Sequence, residues 1–552
     1  MRALEDLRER LGVVADLDAA AAVLGWDQET YMPPGAIEAR AAQLTTLARL
    51  SHETFTDEKI GRLLDAAATE LDADPFDSDD PAFDSDDASL VRVATRDWER
   101  ATKIPADLVA RLAHAASMGQ QAWQRARQAS DFSAFEDHLR TILELTRDKA
   151  EALGYDDRIY DPLLAEFEPG ISTGEIELLF ATLRQELVPI VEALTDGAAD
   201  KGEIPGRLDG SPDKAERPDR VDGSEHDDDS DRAGASGSTA PPQIAPPPLD
   251  RVFDAAAQWD FGVAVIEDFG FDFEHGRQDR SAHPFTTAFS AADVRLTTRI
   301  HEDFLPAGLF GTLHECGHGL YEQGFAPELA RTPLADGASL GVHESQSRLW
   351  EILVGRSRPF WAHYFPRLRD SFPESLDDID TDAFYRAINT VRPSLIRVEA
   401  DEVTYNLHIM VRFELENALL EGRVAVGDLP AAWNDAMERY LGIVPDSDAD
   451  GVLQDIHWSM GAIGYFPTYT LGNLMSAQIF ARLRQDIPDL DEQIAAGRFD
   501  ELLAWLRHNI HRHGRKFTAP ELLERIGCGP LSAEPWLEHI RGKYGELSGK
   551  SL

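Results

Sequence analysis

The chain has 552 residues, of which 43% are apolar, with 10 tryptophans and only 2 cysteines. Such a length and composition support a sizeable packed core, in one large enzyme body or in several domains. The two cysteines exclude a disulfide framework and suit a reducing compartment. With 99 acidic against 53 basic residues the net charge is −46, which argues against nucleic acid as a partner, because a polyanion would be repelled.

Met1-Arg2-Ala3-Leu4-Glu5-Asp6 opens a charged helix with no signal-type apolar region, and no apolar run approaches the ~18 residues of a membrane span. A cytoplasmic protein without membrane association is expected. Leu4 to Gly25 and Ile37 to Ser51 repeat apolar residues at the helical period, separated by a break at Met32-Pro33-Pro34-Gly35. Residues 72–87, rich in Asp, Ser and Pro, predict a solvated acidic loop. Helices are predicted over 88–103, 106–129, 132–153, 174–196 and 250–268, and again through most of the chain beyond Leu340. Residues 195–248 hold Asp227-Asp228-Asp229 and end in a Pro-rich run, a composition that buries too little apolar area to offset ordering. They are expected to be a disordered insertion within one catalytic domain spanning 1–552. The acidity is spread over the whole length, as in a surface kept hydrated at high salt, so a salt-loving source is expected.

Phe285 to Ser290 and Asp293 to Ile300 are β-rich and separated by a short turn, which predicts a pair of strands. Such a hairpin can be purely structural, or its edge can pair with an extended peptide. Directly after it comes His314-Glu315-Cys316-Gly317-His318. On a helix, His314 and His318 share one face and can reach a single metal, and Glu315 stands about 100° round the axis, beside a bound water. Cys316 is expected to face the core. Three fixed positions also recur by chance on polar helix faces, so the rest of the chain must decide.

A catalytic zinc takes three protein ligands and water. Downstream candidates for the third are Glu322, Glu328, Asp336, His343 and Glu344. Glu322 lies one turn along the same helix, too far to close the site. Glu344 opens a second helix that can return across the first, and a carboxylate completes the His₂Glu set used in peptide hydrolysis. His343 stays open, as a replacement ligand or as a residue that orients a neighbour.

At this point the motifs resemble one family. H-E-x-x-H at His314–His318, H-E-S-Q at His343–Gln346, D-x-R-x-T at Asp293–Thr297, I-R-x-x-A-D at Ile396–Asp401 and G-x-x-Q-D-x-H-W at Gly451–Trp458 are similar to those of the carboxypeptidase Taq metallocarboxypeptidases. Trp26-Asp27 and Gly464-Tyr465-Phe466-Pro467-Thr468-Tyr469 look like that family too. The resemblance implies a mainly α-helical, zincin-like body with a deep groove and a small β-sheet beside the active-site helix. It implies His314, His318 and Glu344 as ligands of one zinc, with cobalt possible, Glu315 as general base and acid, a homodimer, and removal of C-terminal residues from peptides with broad specificity. The alternatives are a helical metallo-oligopeptidase and, from another class, a non-catalytic acidic metal-binding protein.

An enzyme of that kind has to recognise a free carboxylate, which arginine binds bidentately. Arg397 is the preferred candidate and Arg295 the second; either can instead be an internal partner of Asp401 or Asp293. His457 can donate to a developing oxyanion or to the substrate carboxylate, or be a core histidine beside Trp458. Tyr465 and Tyr469 can supply a phenolic donor, or simply pack. Arg348, Arg356 and Arg358 are expected to be structural, and His508, His511 and His513 to form a solvated helix end.

Overall fold

A computed structural model describes residues 2–71, 74–195, 249 and 251–552. The expected insertion, apart from its first residue, lies outside the described residues, as do the first two residues of the acidic loop. Residues 74–85 form turns that end at Ser85, whose side chain accepts from the Ala88 amide and starts the Asp86–Lys103 helix. Helices dominate from end to end. The expected N-terminal ones are Arg2–Thr30 and Ile37–Phe55, followed by Ala106–Ala129, Ser133–Leu153, Thr173–Thr195 and Ala255–Asp268.

One large apolar cluster runs from Ala122 to Tyr544 and includes the fully buried Trp350, Trp361, Trp433 and Trp536. The first hundred residues add a second, smaller core. There Leu4, Leu7 and Leu11 meet Ile60, Leu64, Leu90 and Val91, and Leu329 and Leu334 join them from the stretch that follows His318 in the chain. The helical period of the opening segment therefore serves to clamp the N-terminal helices onto the chain just beyond His318.

A three-stranded sheet lies against the motif helix, in the order β1 (Gly276–Arg280), β3 (Asp293–Thr298), β2 (Thr286–Ser290). β2 and β3 are the expected antiparallel pair, with Thr286 opposite Leu296. β1 runs parallel to β3, with Gly276 opposite Val294, and was not anticipated. Its sequence, Gly-Arg-Gln-Asp-Arg, has no apolar alternation to announce a strand, although Gln278 and Asp279 are buried by what packs on them. On β3, Val294 and Leu296 turn toward the core, and the next-door Arg295 takes the opposite face.

Candidate metal centre

The motif helix runs from Leu305 to Glu322 and the helix that returns across it from Leu340 to Arg348. Ser339 caps the returning helix by accepting from the Val342 amide, and the buried Glu168 accepts from the Ser339 hydroxyl and the Gly341 amide. The two helices approach closely because of Gly317. A Cβ there would stand 2.6 Å from Ser347 Cα and 2.7 Å from the Gln346 carbonyl oxygen. Behind the returning helix, Gly472 leaves room for Glu344 in the same way, since its Cβ would lie 2.6 Å from Glu344 Cβ. Cys316 is fully buried in the core.

This packing gathers His314, His318 and Glu344, whose ligand atoms all lie within 4.8 Å of one another. Glu344 Oε2 is 3.7 Å from Nε2 of His314 and 3.7 Å from Nε2 of His318. Three donors converging on one point suit a divalent ion, and each is held from behind. His314 Nδ1 lies 3.0 Å from Glu351 Oε2. His318 Nδ1 lies 2.6 Å from His343 Nδ1, and His343 Nε2 is 2.8 Å from Glu322 Oε1. If His343 donates through Nε2 to Glu322, its Nδ1 accepts from His318 and leaves His318 Nε2 with a free lone pair. Burial, reinforced by the neighbouring His343 and His314, pushes the His318 pKa well down and keeps that ring neutral. Arg348 Nε donates to Glu344 Oε1 at 2.7 Å, so the other carboxylate oxygen is the one turned to the histidines.

Glu351 reaches His314 from a π-helical segment, Leu349–Val354, that continues the returning helix. Widening the turn there changes the angle at which the following side chains project, which a regular helix would not allow. Neither Glu351 nor Arg348 stands out in the sequence. The spacing of Glu344, Arg348 and Glu351, four and then three residues, was the available signal, since it stacks charged groups on one face of a continuing helix. Arg348, expected to be structural, holds the centre from behind through two ion pairs, to Glu344 at 2.7 Å and to Glu351 at 3.2 Å.

Glu315 is buried beside this cluster, and burial raises its carboxyl pKa despite the pull of His314 and of Thr286. Thr286, on the edge strand β2, donates to Glu315 Oε2 at 2.7 Å. Oε1 is left for other work.

A second cluster is built around Asp455. Arg397 donates to Asp455 Oδ1 from Nε at 3.1 Å and from Nη2 at 2.9 Å, and to the Tyr405 hydroxyl from Nη1 at 2.9 Å. Its carboxylate partner is thus Asp455 and not Asp401, which accepts instead from the amides of Arg392, Val403 and Thr404. Tyr469 lies under the Arg397 guanidinium at 4.9 Å and faces His457 Nε2 at 3.5 Å, and Tyr465 packs on both His457 and Tyr469. The two clusters meet through Tyr405, whose ring lies 4.6 Å from the Arg348 guanidinium. Arg397, His457, Tyr465 and Tyr469 are brought together. Arg295 is not among them. It pairs with Asp293, Nε to Oδ1 at 2.5 Å, and covers Trp26 on the sheet face turned away from the motif helix. His511 departs from the expected solvated end: it is fully buried and 3.0 Å from Gln346 Oε1.

A mainly helical body in which two histidines and a glutamate converge beside a buried carboxylate is built as a metal-dependent hydrolase. The family model for carboxypeptidase Taq (M32) metallopeptidases matches residues 6–209 and 235–544. Thermostable carboxypeptidase 1 of Thermus thermophilus is 41% identical over 558 residues, 99% of each chain, and its namesake from Pyrococcus furiosus 35% identical over 526 residues, 95% of each. The crystal structure of an M32 carboxypeptidase from Deinococcus radiodurans R1 superposes with a TM-score of 0.87 at 41% identity, covering 100% of both chains. The chain belongs to the carboxypeptidase Taq (M32) metallopeptidase family. It is a metallocarboxypeptidase, a peptide hydrolase that depends on a divalent metal.

Proposed function

We propose that the metal is one zinc ion held by His314, His318 and Glu344, and that Glu315 is the general base and acid of C-terminal peptide hydrolysis. The observation that carries this reading is Glu344 Oε2, equidistant from both imidazole Nε2 atoms. Two imidazoles and a carboxylate favour zinc among the common divalent ions, with cobalt an alternative for the same donors. Zinc held there supplies a Lewis acid that polarises the scissile carbonyl and activates water at neutral pH.

Glu315 takes the proton of the attacking water on Oε1, while Thr286 holds Oε2, and passes it to the leaving amine. Burial that raises the Glu315 pKa makes it a stronger base. The free C-terminal carboxylate of the peptide lies on Arg397, near His457, Tyr465 and Tyr469. Tyr405 and Arg348 set the span from there to Glu344. The edge of β2 offers backbone groups for the extended substrate. Arg295 is assigned to holding Trp26 and β3 in place.

One catalytic domain is favoured by a single family model that matches on both sides of residues 210–234. The protein is further proposed to be a cytoplasmic homodimer from a salt-loving source. No described helix is long and apolar enough to cross a membrane, and the net charge of −46 supports the salt reading.

Glu315→Gln tests the mechanism. The variant is expected to keep one equivalent of zinc by elemental analysis and to lose turnover by about 10²- to 10⁴-fold. A Gln variant with wild-type turnover would overturn the role given to Glu315, and loss of the zinc would make the residue a structural support of the site.

A further inference from the structure

The helix Tyr405–Leu420 is buried on almost every side, yet it carries Tyr405, His408, Arg412 and Glu416 at intervals of three, four and four residues. That spacing is one continuous polar stripe inside an apolar helix. Arg412 has no exposed surface. Its Nε donates to Asp455 Oδ2 at 2.6 Å, its Nη2 to Gln454 Oε1 at 2.7 Å and its Nη1 to the His408 carbonyl at 2.7 Å. Asp455 therefore spends one oxygen on Arg397 and the other on Arg412.

The charges do not cancel. Arginine stays protonated at any working pH, so two guanidiniums share a single carboxylate. No other carboxylate of the described residues lies within ion-pair distance of either. Glu416, one turn further on, gives its oxygens to the Tyr160 hydroxyl, the Trp458 indole and the Gly464 amide, and burial pushes its carboxyl up to about 7 against the pull of Arg412, so at neutral pH it is not a full counter-charge. Burial pushes His457 down to about 4 and His408 well down, so both rings are neutral and add nothing. A buried net charge of one is costly unless something of opposite sign meets it.

Arg397 also keeps the means to meet it. Of the five N–H donors of a guanidinium, its Nε, one on Nη2 and one on Nη1 are engaged. One N–H on each terminal nitrogen remains, the pair a carboxylate takes bidentately.

We propose that Arg412 is a positioning residue for substrate recognition: it occupies half of Asp455, so that Asp455 can orient Arg397 without neutralising it, and the surplus positive charge is matched by the C-terminal carboxylate of the peptide. This rests on the reading of Arg397 as the carboxylate binder. In a simple Arg–Asp pair the arginine would be held as firmly but would present no net charge. The second arginine separates orientation from neutralisation.

The test compares a peptide bearing a free C-terminus with its amide, using the full-length, zinc-loaded enzyme. Inhibition by N-acetylphenylalanine and by its amide serves as an equilibrium readout. Arg412→Gln is expected to raise KM for the free peptide and Ki for the acid by about tenfold or more, the scale of a lost contact to a charged group. The amide inhibitor should be affected little, so acid-over-amide preference falls. The double variant Arg412→Gln/Asp455→Asn restores a net charge of one on Arg397 and should regain much of that preference. A purely structural Arg412 predicts the reverse, with both inhibitors weakened equally and the double variant worse than the single. Arg397→Gln separates the two ideas. If it leaves the acid-over-amide preference intact, the reading of Arg397 is wrong. If it removes the preference while folded Arg412→Gln keeps it, only the role given to Arg412 is wrong.

Discussion

Gly317 sits at one of the two positions that the H-E-x-x-H pattern leaves free, and Gly317→Ala adds a single methyl group. In the folded protein that carbon would lie 2.6 Å from Ser347 Cα and 2.7 Å from the Gln346 oxygen, both backbone atoms of the helix that carries Glu344. Carbon atoms in contact prefer 3.5–4.0 Å, so that helix has to retreat by roughly 1 Å. Gly472 blocks the retreat from behind, because its backbone already lies against Glu344. Overpacking of this kind costs about 1–3 kcal/mol of stability. The larger effect falls on the centre: supports of a metal site change affinity by about 10- to 100-fold, and a displacement of about 1 Å can cost about 10² in rate. Apo-protein titrated with zinc against a competing chelator, with turnover measured at saturating zinc, reads both. Cys316→Ala is the control, since Cys316 faces the core; it should cost about 1 kcal/mol of packing and leave zinc affinity alone. A folded Gly317→Ala enzyme with wild-type zinc affinity and kcat would refute the close-packing argument.

Two further outcomes concern stability. Burial pushes the Glu168 carboxyl up to about 7, against the pull of Ser339 and the Gly341 amide. The folded state thus binds the proton more tightly than the unfolded chain: the contribution is complete below the unfolded value of about 4.5 and is lost as pH rises through about 7, a fall of about 3 kcal/mol. Glu168→Gln should flatten denaturant-measured stability between pH 5 and pH 8 relative to wild type, and parallel curves would exclude Glu168 as the source. With a net charge of −46, the unfolding midpoint should climb steeply from dilute buffer to molar potassium chloride as screening relieves repulsion. Full stability in dilute buffer would contradict the salt-loving reading, and sedimentation in the same series should give the mass of two chains.

Much was legible in the sequence because it depends on local spacing. Helical periods located the N-terminal helices to within a few residues of Arg2–Thr30 and Ile37–Phe55. Four-residue spacing put His314 and His318 on one face, and the β-branched run before them gave β2 and β3. The choice of Glu344 over Glu322 also followed from one-dimensional reach. In the fold Glu322 supports His343 instead, and His343 supports His318, the orienting role left open for it.

What spacing could not reveal depends on partners remote in sequence. β1 is polar throughout and became a strand only because β3 offered it hydrogen-bonding groups. Arg397 and Arg412 are 15 positions apart, and Asp455 lies more than 40 beyond both, so no local pattern showed that they share one carboxylate. Arg295, the second candidate after Arg397, is turned by the parity of β3 to the face away from the motif helix. Local spacing was enough to nominate His314, Glu315, His318 and Glu344 as candidates and to place them on their helices, since that follows from backbone geometry within a few turns. Which candidates converge, which oxygen of each carboxylate faces the histidines or a guanidinium, and that one buried aspartate serves two arginines follow from the packing of remote segments, because packing and electrostatics act between atoms that are near in space.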